Sequence, residues 1–157
     1  MFVLTDSGIL LRLFEPTDPL HAIVRQAADV LTARGDKLVT ATQNVAEFWN
    51  VCTRPASSRG GFGLTVPHAE LRLQKVEQRF ALLSEPPTLY PIWRNLVVTF
   101  AVQGKQVHDA RLAALMHAQG IAHILTLNGS DFVRYPGITV LDPHVVAAWA
   151  TPPAGTP

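Results

Sequence analysis

The chain is poor in the features that announce most familiar chemistries. Of its 157 residues only one is cysteine, Cys52. A lone thiol makes no intramolecular disulfide, which removes the stapled secreted scaffolds and fits a reducing compartment. Cys52 lies in an apolar helical stretch and reads as core filler rather than a nucleophile. No apolar run reaches the roughly 18 residues that a membrane-spanning helix needs. The start, Met1-Phe2-Val3-Leu4-Thr5-Asp6, has neither the positive region nor the apolar length of a signal peptide. A cytoplasmic protein with no membrane partner is therefore expected. The six histidines show no metal-binding spacing, and no P-loop, G-x-G-x-x-G or G-x-S-x-G element occurs. Charge is scarce as well: 16% of residues are charged, for a formal net charge of +1, so no global basic excess marks a nucleic-acid binder.

What is present is apolar. Hydrophobic residues make up 48% of the chain, enough for one compact core at this length. A single domain over residues 1–145 is expected, with 146–157 as a flexible tail ending in Pro152–Pro157. Phe2–Thr5 reads as a short buried strand that delivers Asp6-Ser7 at its carboxyl end. Ser7 is a candidate cap for a helical turn over Gly8–Phe14. Leu20, Ile23, Val24, Ala27, Ala28 and Leu31 recur at helical spacing until Gly35. Lys37–Thr40 reads as a second strand, and Thr42 to about Thr53 as a helix ended by Pro55. Ala56–Gly63 is a loop long enough to be mobile or functional.

Pro67 then opens a helix whose stripe, Leu71, Leu73, Val76, Phe80 and Leu83, runs towards Pro86-Pro87. A third strand is expected around Thr88-Leu89, a helix over Pro91–Val102, and another over His108–Gln119 closed by Gly120. Ile121–Leu127 and Gly137–Leu141 complete the strands. Short apolar strands alternating with amphipathic helices imply an α/β fold. Its central, mostly parallel sheet of four or five short strands would be flanked by helices on both faces. Sites in such sheets form at the carboxyl ends of strands.

Only twelve residues are acidic, so their placement matters. Asp6 follows a buried strand, Glu47 lies inside a mostly apolar helix, Asp109 opens an Ala-rich helix, and Asp131 sits in a turn. Each has a plain structural alternative: helix cap, exposed helix face, favourable dipole partner, turn residue. Together at one sheet edge they would repel one another, and a divalent cation is the natural remedy. An all-oxygen donor set suits Mg²⁺ or Mn²⁺, ions that promote phosphodiester hydrolysis. Phe48, Trp49, Phe80, Trp93 and Phe100 follow helical spacing and read as core or subunit interface.

The order of these segments resembles the PIN domain. Val3-Leu4-Thr5-Asp6-Ser7, Gln43-Asn44-Val45-Ala46-Glu47-Phe48, His108-Asp109-Ala110-Arg111-Leu112-Ala113 and Leu125-Thr126-Leu127-Asn128-Gly129-Ser130-Asp131-Phe132 carry the resemblance, which spans residues 2 to about 143. It implies a PIN-like fold and a Mg²⁺/Mn²⁺-dependent ribonuclease, of the kind that serves as a VapC-type toxin. It further implies a cognate antitoxin inserting a peptide into the acidic groove, and a homodimer. The resemblance places the metal and catalytic acids at Asp6, Glu47 and Asp109. The family's fourth acid falls on Asn128, an amide, with Asp131 as the carboxylate able to take its place. Ser7, Asn44, Thr126 and Asn128 would support the site, and Arg12, Arg111 and Arg134 are candidate contacts to the RNA backbone. A second reading keeps the fold but has it bind RNA or a protein without cleavage. A phosphatase of the haloacid-dehalogenase type is disfavoured, because Gly8 stands where its second Asp would be.

Overall fold

The computed structural model describes residues 1–149. Five strands, β1 (Phe2–Thr5), β2 (Lys37–Ala41), β3 (Ala81–Leu83), β4 (His123–Leu125) and β5 (Thr139–Leu141), form one sheet in the order β3-β2-β1-β4-β5. Every pairing is parallel, so all five carboxyl ends meet at one edge. The helices are α1 (Ser7–Leu13), α2 (His21–Ala33), α3 (Thr42–Thr53), α4 (Val66–Arg79), α5 (Leu89–Thr99), α6 (Val107–Gln119) and α7 (Pro143–Ala147).

Period-two alternation along the strands divides the interior into two layers. Val3, Leu38, Leu125 and Leu141 enter a core with residues of α1, α2, α3, α4 and α7. Leu4, Val39, Ala41 and Ile124 enter another with Leu89 and Leu96 of α5 and Ala110–Met116 of α6. With both faces covered, the strands carry apolar residues on both sides, which is why they read as continuous runs. This is the expected α/β architecture with helices on both faces. Cys52 is fully buried in the first core, and burial pushes its thiol up to about 11, so it packs as an inert apolar group.

Several boundaries differ from expectation. The third strand is Ala81–Leu83, not Thr88-Leu89: Phe80 turns extended (φ −122°, ψ 126°), α4 ends at Arg79, and the next residues pair with Val39–Ala41. Leu83 therefore belongs to the sheet rather than to the helical stripe. Pro86 and Pro87 have no N–H for a ladder, and Thr88 instead precedes α5. Neither Ser7 nor Thr42 caps a helix; each is the first helical residue, after Asp6 and Ala41. The loop after α3 is tied down: Phe62, Gly63 and Leu64 donate backbone bonds to Val51, Arg54 and Cys52, and both apolar side chains pack on the core. Residues 146 and 147, expected in the tail, belong to the fold instead: Asp142 accepts from the His144 N–H (2.8 Å) and starts α7, burying Val146 and Ala147 against the first core. Residues 150–157 of that tail lie outside the described residues.

Candidate functional site

The strand order reverses at β1, with β2 on one side and β4 on the other. The crevice beyond the carboxyl ends at such a switch point is where open α/β sheets bind ligands. Asp6 stands there, one residue past β1, and is 9% exposed. It occupies the N-cap position of α1 but makes no side-chain cap bond. Its Oδ2 instead accepts from the Thr126 hydroxyl at 2.8 Å, across the gap to the end of β4. The same Thr126 oxygen accepts from the Asn128 N–H at 3.0 Å, which aims its proton at Asp6. Burial raises the Asp6 carboxyl above the usual carboxylate range, Glu47 adds to the rise, and the bonds from Thr126 and Ser7 oppose it.

Glu47 reaches the same crevice from α3. The Ser7 hydroxyl lies 2.6 Å from Glu47 Oε2 and 3.3 Å from Asp6 Oδ1. One hydroxyl has one proton, and the shorter contact takes it, so Ser7 orients Glu47. Glu47 Oε1 accepts from Gln43 Nε2 at 3.1 Å. Asn44, fully buried, donates to the Thr5 carbonyl at 2.8 Å and fixes the backbone immediately before Asp6.

Asp109 lies in the first turn of α6, where the helix dipole favours an anion. Even so, burial lifts its carboxyl to about 6, with the negative charges of Asp131, Asp6 and Glu47 adding to the rise in that order and His108 offsetting part of it. Asp131 is thus the strongest like-charge neighbour of Asp109. It is carried by a turn in which Gly129 is required: a Cβ there would lie 2.8 Å from Val140 Cγ1. Asn128 is exposed at the surface of that turn. Tyr135 packs beneath, with a buried hydroxyl that finds no partner among the described residues. Burial, together with Asp109 and Asp131, keeps its proton on, against Arg134.

Three of the carboxylates singled out in the sequence thus act on the fourth, Asp109, and the three candidate arginines are placed as follows. Arg12 donates to the Gly8 carbonyl (3.0 Å) and stands 3.9 Å from Asp18. Arg134 donates to Gln106 (3.2 Å). Arg111 Nη2 is shared by both oxygens of Glu85, at 2.8 and 2.7 Å, and its Nη1 donates to Gln43 Oε1 at 3.1 Å. Each guanidinium already has protein partners. Gln43 and Glu85 are residues to which the sequence assigned no role. The i, i+4 spacing from Gln43 to Glu47 is a readable signal; the contact from Glu85 to Arg111 is long-range and left none.

The donor set suits a hard divalent cation, since it is all oxygen and carries several charges. Among the described residues no three acidic, histidine or cysteine side chains stand close enough together to form a ready-made metal cage. Mg²⁺ does not require one, because it is commonly held through one or two carboxylates and keeps several waters.

No family model and no curated protein matches the sequence. Solved structures do match the fold. A chain of VapBC2 from Rickettsia felis, bound to a DNA fragment from the promoter, aligns with a TM-score of 0.63 at 13% identity, over 90% of this chain and 98% of that one. A toxin–antitoxin complex from Klebsiella pneumoniae gives 0.61 at 20% identity, over 90% and 97%. VapC20 from Mycobacterium tuberculosis, described as a toxin that cleaves the sarcin-ricin loop, gives 0.55 at 16% identity, over 82% and 92%. The chain has the PIN-like fold of VapC-type toxins. In this VapC-like fold Asp6 stands at the switch point, the Ser7 hydroxyl lies between it and Glu47, and Asp131, Asp6 and Glu47 all act on Asp109. No helix among the described residues is long and apolar enough to cross a membrane.

Proposed function

We propose that the chain is a Mg²⁺/Mn²⁺-dependent endoribonuclease acting as the toxin of a type II toxin–antitoxin pair. The observation that carries this reading is the crowding of Asp6, Glu47, Asp109 and Asp131, strong enough to help hold the Asp109 carboxyl at about 6. Asp6, Glu47 and Asp109 would hold the ion, and Asp131 rather than the exposed Asn128 would supply the fourth acid. Bound there, the ion would supply charge neutralisation at a phosphodiester and an activated water. Thr126 orients Asp6, Ser7 orients Glu47, and Asn44 sets the backbone between them. Asp109 loses its proton around pH 6, so at neutral pH the crevice carries charge that a divalent ion relieves.

RNA as substrate and an antitoxin as partner are supported by the kinds of protein that share the fold, which include a sarcin-ricin-loop-cleaving toxin and toxin–antitoxin complexes. A homodimer is part of the same reading; Tyr90 and Val98, 65% and 71% exposed on α5, offer it an apolar face. The protein would act in the cytoplasm. A second reading, a PIN-like module that binds RNA or a protein without cleaving, draws on the uncharged Asn128. The deciding experiment incubates purified protein with a mixed RNA pool in Mn²⁺ and in EDTA. Cleavage in Mn²⁺ alone is expected. RNA binding with no cleavage in either condition would favour the second reading, and cleavage that survives EDTA would overturn the metal mechanism.

A further inference from the structure

We infer that Arg111, Gln43 and Glu85 form a positioning train for Glu47, and that Arg111 is not a contact to the substrate backbone; this rests on the ribonuclease reading. A guanidinium only donates, so the atom of Gln43 that faces Arg111 Nη1 at 3.1 Å must be the amide oxygen. That fixes the flip of the amide. The two N–H bonds of Nε2 are then directed to Glu47 Oε1 and to the His108 carbonyl, both at 3.1 Å. Ser7 holds the other Glu47 oxygen at 2.6 Å. Each carboxylate oxygen thereby accepts from its own donor, which restrains the plane of the group.

Gln43 also ties α3 to the backbone of His108, the residue before Asp109, so one amide sets two of the proposed ligands relative to each other. Glu85 completes the train from the segment after β3: its two oxygens share Arg111 Nη2 at 2.8 and 2.7 Å. The Arg111 charge is neutralised by a carboxylate instead of being presented to a phosphate. An Arg-to-Lys change would not preserve this, since one ammonium cannot reproduce the planar fork between two partners.

The test titrates Mn²⁺ into the full chain without RNA, and measures KM for an RNA oligonucleotide at saturating Mn²⁺. Groups that orient ligands typically change metal affinity by about 10–100-fold. Gln43→Ala, Arg111→Lys and Glu85→Gln are each expected to weaken Mn²⁺ binding by about tenfold and leave KM within about twofold. Glu85→Gln is the decisive variant, because it is isosteric and partly exposed, and thermal melting checks that it folds. If it leaves Mn²⁺ affinity unchanged while Arg111→Lys or Arg111→Ala raises KM, Arg111 is a substrate contact and the proposal falls. Wild-type protein that cleaves RNA in Mn²⁺ but shows equal Mn²⁺ affinity in all three variants also overturns it, with the ribonuclease reading intact. Wild-type protein that takes up no Mn²⁺ overturns both.

Discussion

The two halves of the crevice are built differently. On the β1–α3 side, Asp6 and Glu47 are held by Thr126, Ser7 and Gln43, and Thr126 and Gln43 are themselves bonded by Asn128 and Arg111. On the α6 side, no donor among the described residues reaches the carboxylate of Asp109 or of Asp131. One half is oriented whether or not an ion is present. The other has no such donors: burial lifts the Asp109 carboxyl to about 6, the charges of Asp131, Asp6 and Glu47 add to the rise, and His108 offsets only part of it. The two sides thus differ in orientation: the strand ends and α3 hold their acids in fixed directions, while Asp109 of α6 and Asp131 of the turn after β4 add further charge without such donors.

Substitutions test that division, beginning where the effect is greatest. Asp6→Asn retains a group able to accept from Thr126 but removes the charge, and RNA cleavage in Mn²⁺ is expected to fall by at least about 10³-fold with the fold preserved. Asp131→Asn is expected to cost cleavage about tenfold or more, and Asn128→Ala about twofold or less, in side-by-side assays. The reverse order would move the fourth position back to Asn128. In EDTA, the raised Asp109 carboxyl makes stability fall as pH rises from the ordinary 3.8 through about 6, because the folded state holds that proton more tightly than the unfolded chain. Asp109→Asn should therefore melt like the wild type below pH 3.8 and be more stable above about 6. Allowing for solvent screening of a half-exposed group, the gain is about 1 kcal/mol, or about 2–4 °C. Thermal melts across that range check it, and a gain that is independent of pH would contradict it. Thr126→Val, on the oriented side, should lower stability by about 1 kcal/mol through the unpaired Asp6 oxygen, and with the opposite pH dependence: the loss grows as pH rises through the Asp6 titration, because that bond favours the ionised carboxylate.

The same split governed what was legible. Strands that are apolar on both faces, and helices closed by signals such as Gly120 (φ 65°), could be read directly because those signals are local. The segment from Arg79 to Leu89 could not. Leu83 continues a helical period, and only pairing with Val39–Ala41 draws Ala81–Leu83 into the sheet. The α7 turn was hidden for the same reason, since its burial depends on packing against α2. In the site, Asp6 could be read because a carboxylate at the end of a buried strand is costly, whereas Glu47, Asp109 and Asp131 were singled out by the order of their segments. What holds them was less visible. Thr126 to Asp6 spans 120 residues and Arg111 to Glu85 spans 26, and no short-range pattern encodes either. The arginines near the motifs invited a role in binding phosphate, and the partners each of them has within the fold are set by tertiary packing that no local pattern announces.

The central claim is that these carboxylates hold one divalent ion. Calorimetric titration of Mn²⁺ into the RNA-free protein at neutral pH, with Asp6→Asn in parallel, tests it most directly. Saturable uptake of a single ion by the wild type, raising its melting temperature and lost in Asp6→Asn, is the expected result. Equal uptake by the two proteins, or none by either, would contradict it.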